Sequence, residues 1–66
     1  MTDRPNLWQT AKRVCTPKEL EALELHHRRG LSYSQIALTL HIHPGSVRDR
    51  IKNAHRKIAA ATRDAA

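Results

Sequence analysis

Gly30-Leu31-Ser32-Tyr33-Ser34-Gln35-Ile36-Ala37-Leu38-Thr39-Leu40-His41-Ile42-His43-Pro44-Gly45-Ser46-Val47-Arg48-Asp49-Arg50-Ile51 decides the fold. Ser32 and Gln35 have the spacing of a capping box, in which a serine hydroxyl accepts from the amide three residues on and the glutamine side chain reaches back. Ile36, Ala37 and Leu40 follow at i, i+1 and i+4, which predicts a short helix over 33–40. His41-Ile42-His43 interrupts it, and Pro44 takes a first-turn position, where its missing N–H is no loss. Val47, Ile51, Ala54 and Ile58 then recur at i, i+4, i+7 and i+11, a narrow apolar stripe along a helix predicted over 44–58. Two helices joined by so short a link form a helix-turn-helix. Ile36, Ala37, Leu40, Val47 and Ile51 would make the joint, with Ala37 small enough to let the helices approach and Ile42 plugging the turn.

Upstream, Thr16-Pro17-Lys18-Glu19 is a second capping box with proline at the first helical position. It predicts a helix over 17–29 carrying Leu20, Leu23 and the stem of His27 on its inner side. Arg28 and Arg29 suit the negative end of that helix, and Gly30 supplies a left-handed stop. Leu7, Trp8, Ala11 and Val14 also fall at helical spacing after Pro5. That segment reads either as a helix near 5–13 laid across the core with Trp8 as anchor, or as a partly extended basic arm. The alanine-rich end from Ala59 can prolong the last helix and is expected to fray. No segment alternates apolar and polar residues as a strand does. The expected fold is all-α, a three- to four-helix helix-turn-helix domain. It divides into an N-terminal helix or arm over 1–14, a helix-turn-helix domain over 15–60 and a frayed tail over 61–66.

A chain of 66 residues makes one domain at most, and at this length only about 60% of the unfolded surface is buried on folding. Cys15 is the single cysteine, so no disulfide staples the chain; with no apolar leader, it points to a reducing, intracellular setting. No apolar run approaches the roughly 20 residues of a membrane span. The formal charge of +6 is unevenly placed: +2 over residues 1–15, zero over 16–40 and +4 over 41–66. A basic C-terminal third points to a polyanionic partner, either nucleic acid or an acidic surface, and of these the helix-turn-helix makes double-stranded DNA the expected one.

At 100° per residue, the side of helix 44–58 opposite its apolar stripe holds Gly45, Asp49, Lys52, Asn53 and Arg56, flanked by Ser46, Arg48, Arg50 and Lys57. Such a face has donors for guanine edges and phosphates, and an acid able to accept from cytosine N4. Residues near the start of a recognition helix reach base edges, so Ser46, Arg48, Asp49 and Lys52 form the expected base-reading set. Arg50, Asn53, Arg56 and Lys57 are assigned to the DNA backbone. Ser32, Tyr33 and Ser34 join them, through hydroxyls and first-turn amides. Leu7 and Trp8 are the candidate protein-contact residues.

His26, His27, His41, His43 and His55 raise the question of a metal. A structural zinc site wants four placed ligands, with Cys15 the one thiol on offer, so no metal or other cofactor is expected. Glu19, Glu21 and Glu24 lie on one amphipathic helix in a chain too small for a pocket, which argues against an enzyme. Cys15, just before a cap in an apolar context, reads as a small core residue.

Cys15-Thr16-Pro17-Lys18-Glu19, Gly30-Leu31-Ser32-Tyr33-Ser34-Gln35-Ile36-Ala37 and Ile42-His43-Pro44-Gly45-Ser46-Val47-Arg48-Asp49-Arg50-Ile51 together resemble region 4 of bacterial sigma-70-type factors. They are also similar to the DNA-binding domains of LuxR-type regulators. The resemblance spans about residues 15–58. It implies a four-helix domain whose last helix enters the major groove, with Ser46, Arg48, Asp49 and Lys52 facing the groove and Arg50 toward the backbone. It also implies transcriptional control in a bacterial or phage-like cytoplasm, close to the nucleoid. An alternative is a protein-interaction module that grips RNA polymerase or another regulator. A homodimer formed through the apolar N-terminal segment is a further expectation. Two positions depart from the family pattern: His41 stands where a turn glycine is usual, and His43 where a serine or threonine cap is usual.

Overall fold

The second, third and fourth helices each begin where the chain supplies a cap. In the computed structural model, which describes residues 7–65, the order is α1 (Leu7–Val14), α2 (Pro17–His27), α3 (Tyr33–Leu40) and α4 (Pro44–Ala65). Both capping boxes form. The Glu19 amide donates to the Thr16 hydroxyl at 3.2 Å and the Thr16 amide to the Glu19 carboxylate at 2.9 Å. The Gln35 amide donates to the Ser32 hydroxyl at 3.2 Å, and the Ser32 amide to the Gln35 side chain at 2.8 Å.

Two boundaries differ from the expected ones. The N-terminal segment is a helix, not an arm, over the part described; it runs to Val14, and expected positions 5 and 6 lie outside the described residues. α2 stops at His27, two residues early, with Arg28 as its C-cap. Gly30 at φ +71° reverses the chain, and the Leu31 amide donates back to the Leu25 carbonyl at 3.1 Å. The His26 Nδ1–H donates to the Leu31 carbonyl at 2.9 Å, bracing the same corner. α4 continues past Ile58 to Ala65, prolonged through the alanine-rich end as expected. Three consecutive alanines, the best helix formers, carry it through Ala61.

The α3–α4 turn depends on His41, which adopts φ +58°, ψ +45°. The Ala37 carbonyl then accepts from both the His41 and Ile42 amides, closing the end of α3. A side chain in the left-handed region costs free energy that glycine does not incur. His41→Gly should therefore raise stability by about 0.5–1 kcal/mol, the gain being cut by the glycine's greater freedom in the unfolded chain. Thermal unfolding by circular dichroism reads this as a higher midpoint; a lower one would mean the imidazole stabilises the turn.

α4 packs against all three other helices, most extensively against α2. The core is Ala11, Ala22, Leu23, Ile36, Ala37, Val47, Ile51 and Ala54. Half of it is alanine, so the helix axes come close while little apolar area is buried per residue. Ile36, Val47 and Ile51 make the helix-turn-helix joint as expected, with Leu40 and Ile42 half-buried beside them. On α2 the inner positions are Glu19, Ala22 and Leu23; Leu20 is half-buried, and His27, exposed overall, lines a groove with Leu23. Trp8 is half-buried against the core, with the Arg28 guanidinium 5.4 Å from its ring centre.

Candidate nucleic-acid interface

α4 presents its basic side outward because the first half of its apolar side is packed into the core. Val47, Ile51 and Ala54 are buried, whereas Ser46, Arg48, Asp49, Lys52 and Arg56 are exposed. Arg50 and Asn53 are half-buried on one flank. Arg56 donates through Nη2 to the Asn53 side-chain oxygen at 3.0 Å, one helical turn away. That bond turns the arginine back along the helix and occupies the amide oxygen of Asn53.

The start of α4 is capped by an unusual residue. His43 Nδ1 accepts from the Gly45 amide at 3.1 Å, and the His43 carbonyl accepts from the Ser46 and Val47 amides at 2.9 and 3.3 Å. The imidazole thus does the work of the usual hydroxyl. Gly45 makes room for it, since a Cβ there would lie 3.2 Å from His43 Nδ1. Exposed Ser46, Arg48 and Asp49 are thereby set on an anchored first turn.

At the N-terminus of α3, Ser32 and Ser34 are exposed, although the Ser32 hydroxyl is engaged in its cap. Tyr33 is half-buried and tilts against the His26 ring at 5.0 Å between centres. The first-turn amides of α3 and the exposed face of α4 are joined by the turn at His41–His43.

Lys57 is drawn away from this face. Its Nζ lies 2.8 Å from Glu19 Oε1, and the Glu19 side chain is only 10% exposed. The lysine expected at the DNA backbone instead neutralises a buried carboxylate on α2. The bond from Lys57, then that from the Thr16 amide, holds the Glu19 carboxyl below its ordinary range. Nearby Cys15 packs against the core with its thiol 3.9 Å from the Ala54 carbonyl, and burial, then the Glu19 charge, pushes its pKa up. That is the environment of an inert core thiol. The burial of Glu19 was missed at the sequence level, although Glu19, Ala22, Leu23 and His26 share the i, i+3, i+4, i+7 spacing of an inner face.

At the other end of α2, His27 Nε2 lies 3.0 Å from His55 Nε2 on α4. Desolvation, then the neighbouring His26 and His55, holds the His27 imidazole below its ordinary pKa. Among the described residues, no group of three or more histidine, cysteine, aspartate or glutamate side chains is placed to hold a metal ion. An open, mostly apolar groove lies between α1, α2 and the C-terminal half of α4, lined by Trp8, Leu23, His27, His55, Ile58, Ala59, Thr62 and Arg63. Leu7 opens α1, but the contact role expected of its side chain falls outside the described residues. No helix among the described residues is long and apolar enough to cross a membrane.

No curated protein and no solved structure matches the chain. The family model for sigma-70, region 4, matches residues 16–58, from the cap of α2 through the two helices of the helix-turn-helix. That match covers well over half of the chain, and with four helices in this arrangement the protein belongs to the sigma-70 region 4 family.

Proposed function

We propose that this protein is a small sequence-specific double-stranded DNA-binding regulator of transcription that reads the major groove with the first half of α4. The observation that carries the proposal is the exposed row Ser46, Arg48, Asp49 and Lys52 on a helix whose opposite side is locked into the core. An arginine or lysine reads guanine O6 and N7, and an aspartate accepts from cytosine N4. Arg50, Arg56 and Asn53 on α4, with Ser32, Tyr33 and Ser34 at the start of α3, supply backbone contacts that set register without reading sequence. Lys57 leaves this set because Glu19 holds it. One short recognition helix makes a small interface, so useful specificity calls for a second copy or a neighbouring protein on the DNA.

Selection of bound duplexes from a random pool tests the reading. Enrichment of one short motif, with affinity falling steeply as salt rises, is the expected outcome. A pool that stays random through repeated rounds would contradict it.

A second reading, a module that contacts RNA polymerase or another regulator, is favoured by the apolar groove beside Trp8. Trp8→Ala would then abolish partner capture while leaving DNA affinity unchanged.

A further inference from the structure

α2 is fastened to α4 at both ends, by different chemistry. At its start, Glu19 meets Lys57 at 2.8 Å; at its end, His27 meets His55 with the two Nε2 atoms 3.0 Å apart. The first contact is a charge pair. The second brings together two imidazoles from positions 28 residues apart in sequence, and a hydrogen bond between them requires one ring to carry a proton on Nε2 while the other offers a lone pair.

We propose that His27 and His55 form a two-point chelate for a divalent transition-metal ion of the imidazole-preferring class, zinc or copper, that clamps the end of α2 to α4. Two nitrogens bound to one tetrahedral zinc at about 2.0–2.1 Å stand about 3.3 Å apart. The rings therefore need to separate by about 0.3 Å and each to turn by about 35°, so that its lone pair points at the ion and not at the other nitrogen. On binding, the ring that carried its proton on Nε2 shifts it to Nδ1, so both Nε2 lone pairs face the metal. The remaining coordination positions go to water, because no further histidine, cysteine or carboxylate among the described residues completes a cluster there.

Three features favour this pair over the other histidines. Both residues are exposed overall and line an open groove, so an ion reaches them without unfolding the chain. They project from separate helices whose mutual packing is the most extensive in the molecule, so the donor spacing is set by the core and not by a flexible loop. The alternative chelate, His41 with His43, is spoiled by the cap, since His43 Nδ1 is committed to the Gly45 amide. His26 donates through Nδ1–H to the Leu31 carbonyl, which leaves its Nε2 lone pair free, but its ring meets the His27 ring edge-on with centres 5.0 Å apart and not nitrogen to nitrogen. The ion would stabilise the folded state specifically, because the unfolded chain does not hold these two positions together.

The experiment is a titration of the whole chain with zinc chloride, and separately with copper sulfate. It is read by the thermal midpoint and by imidazole nitrogen resonances in uniformly labelled protein. The expected result is a midpoint that climbs with the logarithm of metal concentration, with the Nε2 signals of two histidines shifting together on zinc and broadening together on copper. Loss of an outer-shell partner already weakens metal sites by about 10–100-fold, so loss of either ligand, in His27→Ala or His55→Ala, should weaken binding at least about tenfold. His41→Ala should leave it unchanged. A midpoint insensitive to either metal, or binding that survives both His27→Ala and His55→Ala, would overturn the proposal. The nitrogen resonances of the unaltered protein decide the matter even if a variant fails to fold.

Discussion

Glu19→Ala should lower the thermal midpoint by about 10–20 °C. The substitution removes the reciprocal partner of the Thr16 cap and the counter-charge of Lys57 at once. Loss of a cap costs about 1 kcal/mol. Breaking a buried pair costs about 3–5 kcal/mol, but Lys57 is 36% exposed and can turn to water, which reduces that contribution to about 1–2 kcal/mol. The total of about 2–3 kcal/mol stands against roughly 3–10 kcal/mol for a domain of this length. Each kcal/mol moves the midpoint of so small a domain by about 4–8 °C. A midpoint within two or three degrees of the parent, roughly 0.5 kcal/mol on that scale, would show the pair to be incidental.

The same pair has a pH signature. The Glu19 carboxyl titrates below its ordinary value of 4.5 in the folded state, so the unfolded state binds more protons there. Its stabilisation is complete above the unfolded value and is lost as pH falls through the folded one. Stability should therefore decline on acidification below about pH 4.5, and Glu19→Gln should flatten that limb.

Arg48→Ala should weaken binding to a selected duplex by about 1–3 kcal/mol, roughly 5- to 150-fold, and relax preference at one base pair. Lys52→Ala should do the same at a neighbouring position. Both side chains are exposed, so the folded population should not change. Arg50→Ala should weaken all duplexes alike and reduce the slope of log affinity against log salt by about 0.9. Equal losses on selected and scrambled duplexes for Arg48→Ala and Lys52→Ala would place these residues on phosphates and remove them from the base-reading set.

The helix-turn-helix could be read because its determinants are local. Two capping boxes, Gly30, Pro44 and the spacing of Val47, Ile51 and Ala54 fix starts, stops and the inner face without reference to distant chain. What could not be read were contacts made across the fold. Lys57 lay on a flank of α4 by rotation alone and looked available to DNA; only the approach of α2 shows it committed to Glu19. His43 was noted as a departure from the usual cap, but its ring closing on the Gly45 amide is a matter of side-chain geometry that spacing does not give. The extension of α4 to Ala65 is in keeping with the alanine run 59–61, whose propensity is a local signal. The groove-facing assignment of Ser46, Arg48, Asp49 and Lys52 rests on rotation, and all four side chains lie at the surface.

Backbone amide resonances followed while a selected duplex is added test the central claim most directly. If the first half of α4 reads the groove, the largest shifts fall on residues 44–53 and on the start of α3 at 32–35. Residues around Trp8 and the groove between α1 and α4 stay still. Shifts concentrated on α1 and the end of α4, with Arg48 and Lys52 unmoved, would contradict the claim.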